Sequence, residues 1–443
     1  MLFKNYEQLV NNGQTPHLQK KRKDVLDILT RVVESVNPYD AVKRVFRDNK
    51  ICVKDDIFEL SNFENIYVIG FGKASVGMTK AVVESVKVTK GAIITNDSLA
   101  KISYDEIEII IGGHPLPNNG SILGAEKILE IAKHCNKNDL LIVLISGGGS
   151  ALLCKPRISL KNLQKTTDLL LKSGADINEI NTIRKHLSLI KGGQLAKLTK
   201  ATIISLIISD IINDPFEFIS SGPTSPDSTT FFDTKKILEK YGLIKKVPIE
   251  VIKVIEEGIN GQISETPKKD DPVFKKVHNL IVANNKKACN AALDKAVELG
   301  YQSKIITTSM IGEAKYAINR LINNSNKYKK NKTVLITGGE TTVKIKGNGK
   351  GGRNQELVLG GVESISNTDI VLASFATDGI DGSSIAAGAI ADGFTFTKAN
   401  KKRLDPQEFL EENNSYEFFS ELNDVFITGP TGTNVMDIQL ILF

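Results

Sequence analysis

Two glycine-rich turns carry the side chains best suited to hold an anion. The first, GFGKASVG (70–77), sets Lys73 among glycines that let a ligand approach the backbone, ahead of a helix start whose free N–H groups favour negative charge. It is neither the strict dinucleotide GxGxxG nor a Walker A sequence, and a glycine turn alone can be tight packing. A lysine in an exposed first turn favours a phosphate or carboxylate partner. The second turn, SGGGSALL, begins at Ser146 after the most apolar run of the chain. Its three consecutive glycines each cost roughly 1 kcal/mol in chain entropy. A nest of backbone N–H groups at Gly147, Gly148 and Gly149, flanked by the Ser146 and Ser150 hydroxyls, gives that cost a purpose, because it can hold a phosphate or carboxylate. GGGSA is not the GxSxG elbow of a serine nucleophile.

Further along, NTIRKHLSLIKGGQLA places Arg184, Lys185 and Lys191 on one helical segment, a pattern that reads as a solvated charged face unless a ligand claims it. In SDIINDPFEFISSGPTSPD, Asp210 directly follows a strand, where a carboxylate could hold Mg²⁺ or accept a proton; Asp214 fits the turn chemistry of NDP. The C-terminal half offers ITGGETT with Gly338 and Glu340, GNGKGGRNQEL with Arg353 and Asn354, and ATDGIDG with Asp378 and Asp381. Arg353 opens a helix and presents a rigid fork of donors that suits phosphate oxygens. Asp378 and Asp381 suit either an Asx turn or a metal, and Glu340 is a third carboxylate candidate. His114, in GGHPLPNNGS, reads as a turn histidine rather than a general base.

The elements that must position these loops are short β-branched runs alternating with amphipathic stretches: IYVIG ending at Gly70, GAIIT from Gly91, IEIIIG ending at Gly112 and LLIVLIS ending at Ser146. Such alternation predicts a parallel sheet covered by helices, with ligands beyond the carboxyl ends of the strands. Around 264–276 apolar periodicity gives way to proline and mixed charge before a new strand, LIVAN, at Leu280. The expected division is therefore an N-terminal Rossmann-like α/β domain over 1–270 and a C-terminal α/β domain over 271–443. NNSNKYKKNK (323–332) reads as a solvated loop, and the first 60 or so residues as helices packed against the sheet.

At 443 residues the chain exceeds what one core usually supports, and two domains with a cleft between them are expected. Apolar residues at 41% and charged residues at 24% exclude a disordered or fibrous chain. The balance of 57 basic against 51 acidic residues suits an anionic substrate without requiring nucleic acid. Four scattered cysteines, with no CxxC pair, argue against a disulfide framework or structural zinc. The polar N-terminus lacks a signal-peptide core, and no apolar stretch is long enough to span a bilayer, so a cytoplasmic protein without a membrane partner is expected. The sequence leaves the oligomeric state open, a homo-oligomer included.

In their order, GFGKAS, GGHPLPNNGS, SGGGSALL, NTIRKHLSLIKGGQLA, SDIINDPFEFISSGPTSPD, GGETTV, GGRNQEL, ATDGIDG and TGPTGTNVMDIQL resemble the class II glycerate kinases, known for a C-terminal MOFRL domain. The resemblance spans positions 70 to 440. It implies two α/β domains, one with a Rossmann-like three-layer parallel sheet and one with a mixed sheet, and an active site in the cleft between them. It also implies ATP as donor, a divalent cation such as Mg²⁺, and D-glycerate as acceptor at the 2-hydroxyl. The family's essential lysine falls on Lys73 and its essential arginine on Arg353. Within that frame Lys73, Arg353 and Asp210 are expected to be catalytic. Residues 146–150, Arg184, Lys191, Gly338, Glu340 and Asn354 are expected to bind substrate or phosphate, and Asp210 and Asp378 to hold the metal. One departure is Asn213, where the family usually has glycine; asparagine tolerates the left-handed conformation that such a turn needs.

The rival class is an NAD(P)-dependent hydroxypyruvate reductase. Its fingerprint is poor, since the acidic residue expected about 20 positions beyond the glycines is missing. Phosphorylation at the 3-hydroxyl is the alternative regiochemistry.

Overall fold

The computed structural model describes residues 1–53, 56–324 and 332–443, so most of the loop read at 323–332 lies outside the described residues. The chain divides into two compact units: Pro38–Val282, and a second formed by Met1–Asn37 together with Ala283–Phe443.

In the first unit the apolar runs become β1 (Ile66–Phe71), β2 (Lys90–Thr95), β3 (Ile107–Ile111), β4 (Leu140–Ile145), β5 (Thr202–Ile208) and β6 (Val277–Ala283). Their spatial order is β3-β2-β1-β4-β5-β6, and β3 through β5 pair in parallel. Every residue of β1 and β4 is buried, which is why these strands read as unbroken apolar runs rather than alternating ones. Helices are started by side chains suited to the task. Asn118 and Ser121 form a capping box at Asn119–His134, and Asp176 and Glu179 form another at Ile177–His186. From β1 the chain builds outward to β3, then returns to β4 and builds the other way. The loops after β1 and β4 therefore flank the point where the strand order reverses, the place where such sheets open a ligand crevice.

The second unit holds β7 (Gln302–Met310), β8 (Thr333–Gly339), β9 (Val371–Ala376), β10 (Gly388–Asp392), β11 (Val425–Phe426) and β12 (Asp437–Leu442), ordered β7-β8-β12-β9-β10-β11. Only β7 and β8 run parallel; the remaining pairs are antiparallel, so the sheet is mixed. The C-terminal strand lies in the middle of the sheet and is buried along its length.

Two sequence expectations about domain limits change. The LIVAN strand does not open the second unit but completes the edge of the first sheet. Asn279 fastens it there, donating to Thr224 O at 3.1 Å and accepting from Thr224 Oγ1 at 3.1 Å. The N-terminal 37 residues belong with the C-terminal half. Helix Pro16–Ser35 packs on helix Asn285–Glu298, and Tyr301 Oη donates to Asp24 Oδ2 at 2.7 Å. On the same helix Arg22 is fully buried, with Nε donating to Asp392 and Nη1 to Asp424, both at 2.6 Å. Burying three charges is tolerable only because they neutralise one another in part, and removing one partner from such a group costs about 3–5 kcal/mol. An N-terminal polar helix gives no sign of which distant carboxylates will receive its arginine.

Candidate active site

The loops that leave the carboxyl ends of β1, β3, β4 and β5 meet over the switch point. The β1 loop is laced to the β4 loop: Lys73 N donates to Gly147 O at 2.9 Å, Ala74 N to Ser146 Oγ at 3.1 Å, and Ser146 N to Phe71 O at 3.2 Å. The Lys73 side chain is exposed, and among the described residues no carboxylate pairs with it. Two glycines here are required by space. A β-carbon on Gly147 would stand 2.3 Å from Asp210 Oδ2, so that carboxylate lies directly against the loop backbone. Gly148 has φ +83°, and a β-carbon there would meet His114 Cδ2 at 3.0 Å and Lys73 Cγ at 3.4 Å. Gly149 opens the short helix Gly149–Leu152, its N–H donating to Ser146 O at 3.3 Å.

The β5 region supplies two loops. Asn213 has φ +64°, as expected of an asparagine standing where glycine is usual, and Asp214 follows at +53°. Further on, Ser220 and Ser221 hold φ of 51° and 61°, conformations that cost about 1–3 kcal/mol each and persist where surrounding contacts fix them. Those contacts are the glycine loop itself. Ser220 Oγ donates to Ser146 O at 3.2 Å, and the Ser221 and Ser150 hydroxyls lie 3.0 Å apart. The sequence gives no sign of these two serines, because nothing in ISSGP announces left-handed serines.

The basic helix is not a solvated face. Lys185 is fully buried against Asp227 at 2.5 Å, and its pull holds the Asp227 carboxyl below its usual range in spite of burial, which acts the other way. Lys191 is 4% exposed, and its Nζ donates to Ser150 O at 2.7 Å. Burial pushes its ammonium down to about 8; Arg184 acts the same way and Cys154 opposes. Burial likewise lowers the Arg184 guanidinium. Neither cation has an acidic partner among the described residues. Both line a cavity of about 20 Å³ with Ser150, Cys154, Leu116 and Pro117, space for about one or two water-sized groups. A buried ammonium and a half-buried guanidinium without a carboxylate beside one cavity are costly unless an anion enters it.

In the second unit Arg353 opens helix Arg353–Gly361 and is held as a fork: Nε to Asp437 Oδ2 at 2.6 Å, Nη2 to Asp437 Oδ1 at 3.0 Å, and Nη1 to Glu340 Oε1 at 2.7 Å. Asp437 is 1% exposed, and burial pushes its carboxyl up to about 6 while Arg353 pulls it down. Several of the expected binding residues also make contacts within the fold. Gly338 is covered by Asn285, whose amide donates to Val435 O and Asp437 O. Asn354 is buried, donating to Asp381 and accepting from Ser374 Oγ at 2.5 Å. Asp381 caps the helix, accepting from Asn354 N at 3.0 Å and Gln355 N at 2.9 Å. Asp378 does close an Asx turn, accepting from Ile380 N at 3.1 Å. Among the described residues no three His, Cys, Asp or Glu side chains gather as a metal cluster. The four cysteines are free thiols, and no helix of the described residues is long and apolar enough to cross a membrane.

A doubly wound parallel sheet whose switch-point loops carry an unpaired lysine and a glycine nest defines a class of phosphate-handling α/β proteins. Comparison with known proteins narrows it. Residues 24–256 match a family described as "Domain of unknown function (DUF4147)", and residues 333–437 match the MOFRL family. Glycerate 2-kinase of Pyrococcus horikoshii is 44% identical, the alignment covering 94% of this chain and 96% of that one. D-glycerate 2-kinase of Thermotoga maritima is 38% identical over 94% of this chain and 97% of its own. The crystal structure of the Thermotoga maritima glycerate kinase superposes with a TM-score of 0.86 at 36% identity, covering 96% of this chain and 100% of that one. A relative from Agrobacterium vitis, 34% identical over 92% of this chain and 95% of its own, carries a hydroxypyruvate reductase name. The chain belongs to the class II glycerate kinases, the MOFRL-domain family.

Proposed function

We infer that this protein transfers the γ-phosphoryl group of ATP to the 2-hydroxyl of D-glycerate in the cytoplasm. The observation that carries the reading is the unpaired Lys73 over the 146–150 loop at the switch point. Phosphoryl transfer asks a protein mainly to position its substrates and place positive charge on the moving group. Lys73 is assigned to that group, and the Ser146 to Ser150 nest to nucleotide phosphate oxygens. Arg184 and Lys191 take the acceptor's carboxylate, because both line one cavity and neither has an acidic partner among the described residues. Arg353 is assigned as the second essential cation, with the N–H groups not already spent on Asp437 and Glu340. A divalent cation fits a site of one carboxylate plus phosphate and water oxygens, which is how Mg²⁺ is commonly held, and Asp210, against the Gly147 backbone, is assigned to supply that carboxylate. When bound, it would offset charge on the phosphates.

The loops fit a dinucleotide poorly, lacking the acid that would meet a ribose. A coupled assay separates the two readings. ATP should be consumed only when D-glycerate and a divalent cation are both present, and NADH oxidation with hydroxypyruvate, without ATP turnover, would contradict the kinase reading. Within the same assay, Lys191→Met should raise KM for glycerate roughly 10- to 100-fold and leave KM for ATP unchanged, the loss expected of one charge-assisted hydrogen bond. Stability should hold or rise, since the substitution removes a buried unpaired charge. An unchanged KM for glycerate would take the carboxylate away from this cavity.

A further inference from the structure

We propose that His114 is the base that receives the proton of the acceptor hydroxyl. The proposal rests on the kinase reading above and adds to it a residue that the sequence treats as part of a turn.

Three placements carry it. His114 sits in the loop after β3, and its imidazole lies over Gly148 of the phosphate nest. Nε2 is 3.3 Å and Cδ2 3.0 Å from where a β-carbon would stand, and the Lys73 side chain reaches to 3.4 Å of the same point. The ring and the cation assigned to the moving phosphoryl group thus converge on one glycine. Second, the same loop continues into Leu116 and Pro117, which line the cavity of Arg184 and Lys191. An acceptor anchored there by its carboxylate has its hydroxyl carbons next to the segment that bears His114. Third, neither nitrogen of His114 has a hydrogen-bond partner among the described residues. His186, by contrast, is a structural histidine whose two nitrogens lie 2.8 Å from Thr182 O and 2.9 Å from Glu265 Oε1. A half-buried imidazole with both nitrogens unspent has capacity for a ligand proton.

The electrostatics suit the role. Burial first, and then the positive charge of Lys73, the charged group that acts on this ring, hold His114 below its ordinary value. The neutral, proton-accepting form therefore prevails at pH 7. In the step itself, a lone pair of the acceptor hydroxyl oxygen forms the bond to the γ-phosphorus. The bond from that phosphorus to the bridging oxygen of ADP breaks, its electron pair leaving on ADP. The hydroxyl proton passes to an imidazole nitrogen, and the imidazolium later returns it to water. Because the transition state of phosphoryl transfer is loose, proton removal contributes at the low end of the range for general bases.

The test uses the full-length enzyme. His114→Ala should lower kcat about 10²-fold with KM for ATP unchanged, the lower limit of what a general base supplies. The acidic limb of the wild-type kcat/KM profile should vanish, and added imidazole should restore rate in proportion to its free base. His114→Gln, which keeps the packing over Gly148, should be as slow as the alanine variant and should supply the same readouts if that variant does not fold. A kcat within about threefold of wild type in either variant, less than any general base is worth, would overturn the proposal. So would a loss of rate that keeps the acidic limb and ignores imidazole, since that pattern belongs to packing. Wild-type enzyme that fails to phosphorylate glycerate would instead overturn the kinase reading beneath it.

Discussion

Lys73→Ala should lower kcat by on the order of 10²- to 10³-fold, the loss seen when one electrostatic stabiliser of a charged transition state is removed. Thermal stability should move by no more than about 2 °C, as for an ordinary surface substitution. Both halves of this expectation follow from the same geometry. The side chain is exposed and has no carboxylate partner among the described residues, so folding loses neither a salt bridge nor packing when it goes. What positions it is the backbone, through the Lys73 N–H on Gly147 O, and alanine keeps that bond. A charge held in place by its own main chain but left unpaired by the protein is available to a ligand. Steady-state kinetics beside a melting curve check the two halves together, and near-normal turnover would remove Lys73 from the site.

Arg353→Ala should behave differently, costing activity and stability at once. The sequence places Arg353 at a helix start as a fork of donors suited to phosphate and shows no partner for it within the fold. In the structure the guanidinium is the counter-ion of Asp437 in the central strand β12, with side-chain exposures of 32% and 1%. Breaking a buried pair from one side costs about 3–5 kcal/mol, and the partial exposure of the arginine places this case near the lower figure. The pH dependence identifies the cause. Burial already pushes the Asp437 carboxyl up to about 6 with the arginine present, above the usual carboxylate range, and the variant removes its main opposing influence. A carboxyl whose folded value is raised binds its proton more tightly in the native state. Its contribution to stability is therefore full below the unfolded value and is lost as pH rises through the folded one. The variant should accordingly regain stability as pH falls from neutrality toward 5, a change that chemical denaturation at several pH values would reveal. Arg353→Lys should recover part of the stability and little of the activity, because an ammonium cannot make the two-pronged contact with Asp437. Wild-type stability in the alanine variant at pH 8 would show that Asp437 does not depend on Arg353.

The contrast between these two cations marks how far the sequence could be read. Strand-ending glycine loops are legible because glycine runs after buried β-branched strands are expensive without a use, and GFGKAS and SGGGS do meet at the switch point. Asn213 stands out only through the resemblance, which has glycine there, and asparagine tolerates its φ of +64°. What sequence spacing could not show is which partner a charge has found. Lys185, Arg184 and Lys191 look alike in TIRKHLSLIK. In the fold Lys185 is spent on Asp227, while the other two face a cavity without a counter-ion. Asp381 resembled Asp378 until one proved to cap a helix and the other to close a turn. The N-terminal helix was assigned to the nearer sheet because contiguity is the natural assumption, whereas Arg22 pairs with Asp392 and Asp424 some 400 positions away in the second unit. In the sequence His114 reads as a turn residue, and only its place over Gly148 distinguishes it from one.

The most direct test of the central claim is a phosphorus NMR spectrum of the reaction mixture after purified protein is incubated with ATP, a divalent cation and D-glycerate. The γ-phosphate signal of ATP should be replaced by that of a phosphate monoester on the carbon next to the carboxylate, 2-phosphoglycerate, in equal amount to the ADP formed, and omitting glycerate should leave ATP intact. A monoester on the terminal carbon would keep the kinase and overturn the acceptor's placement with its carboxylate on Arg184 and Lys191. ATP left unchanged, or released only as inorganic phosphate, would contradict the function assigned to these loops.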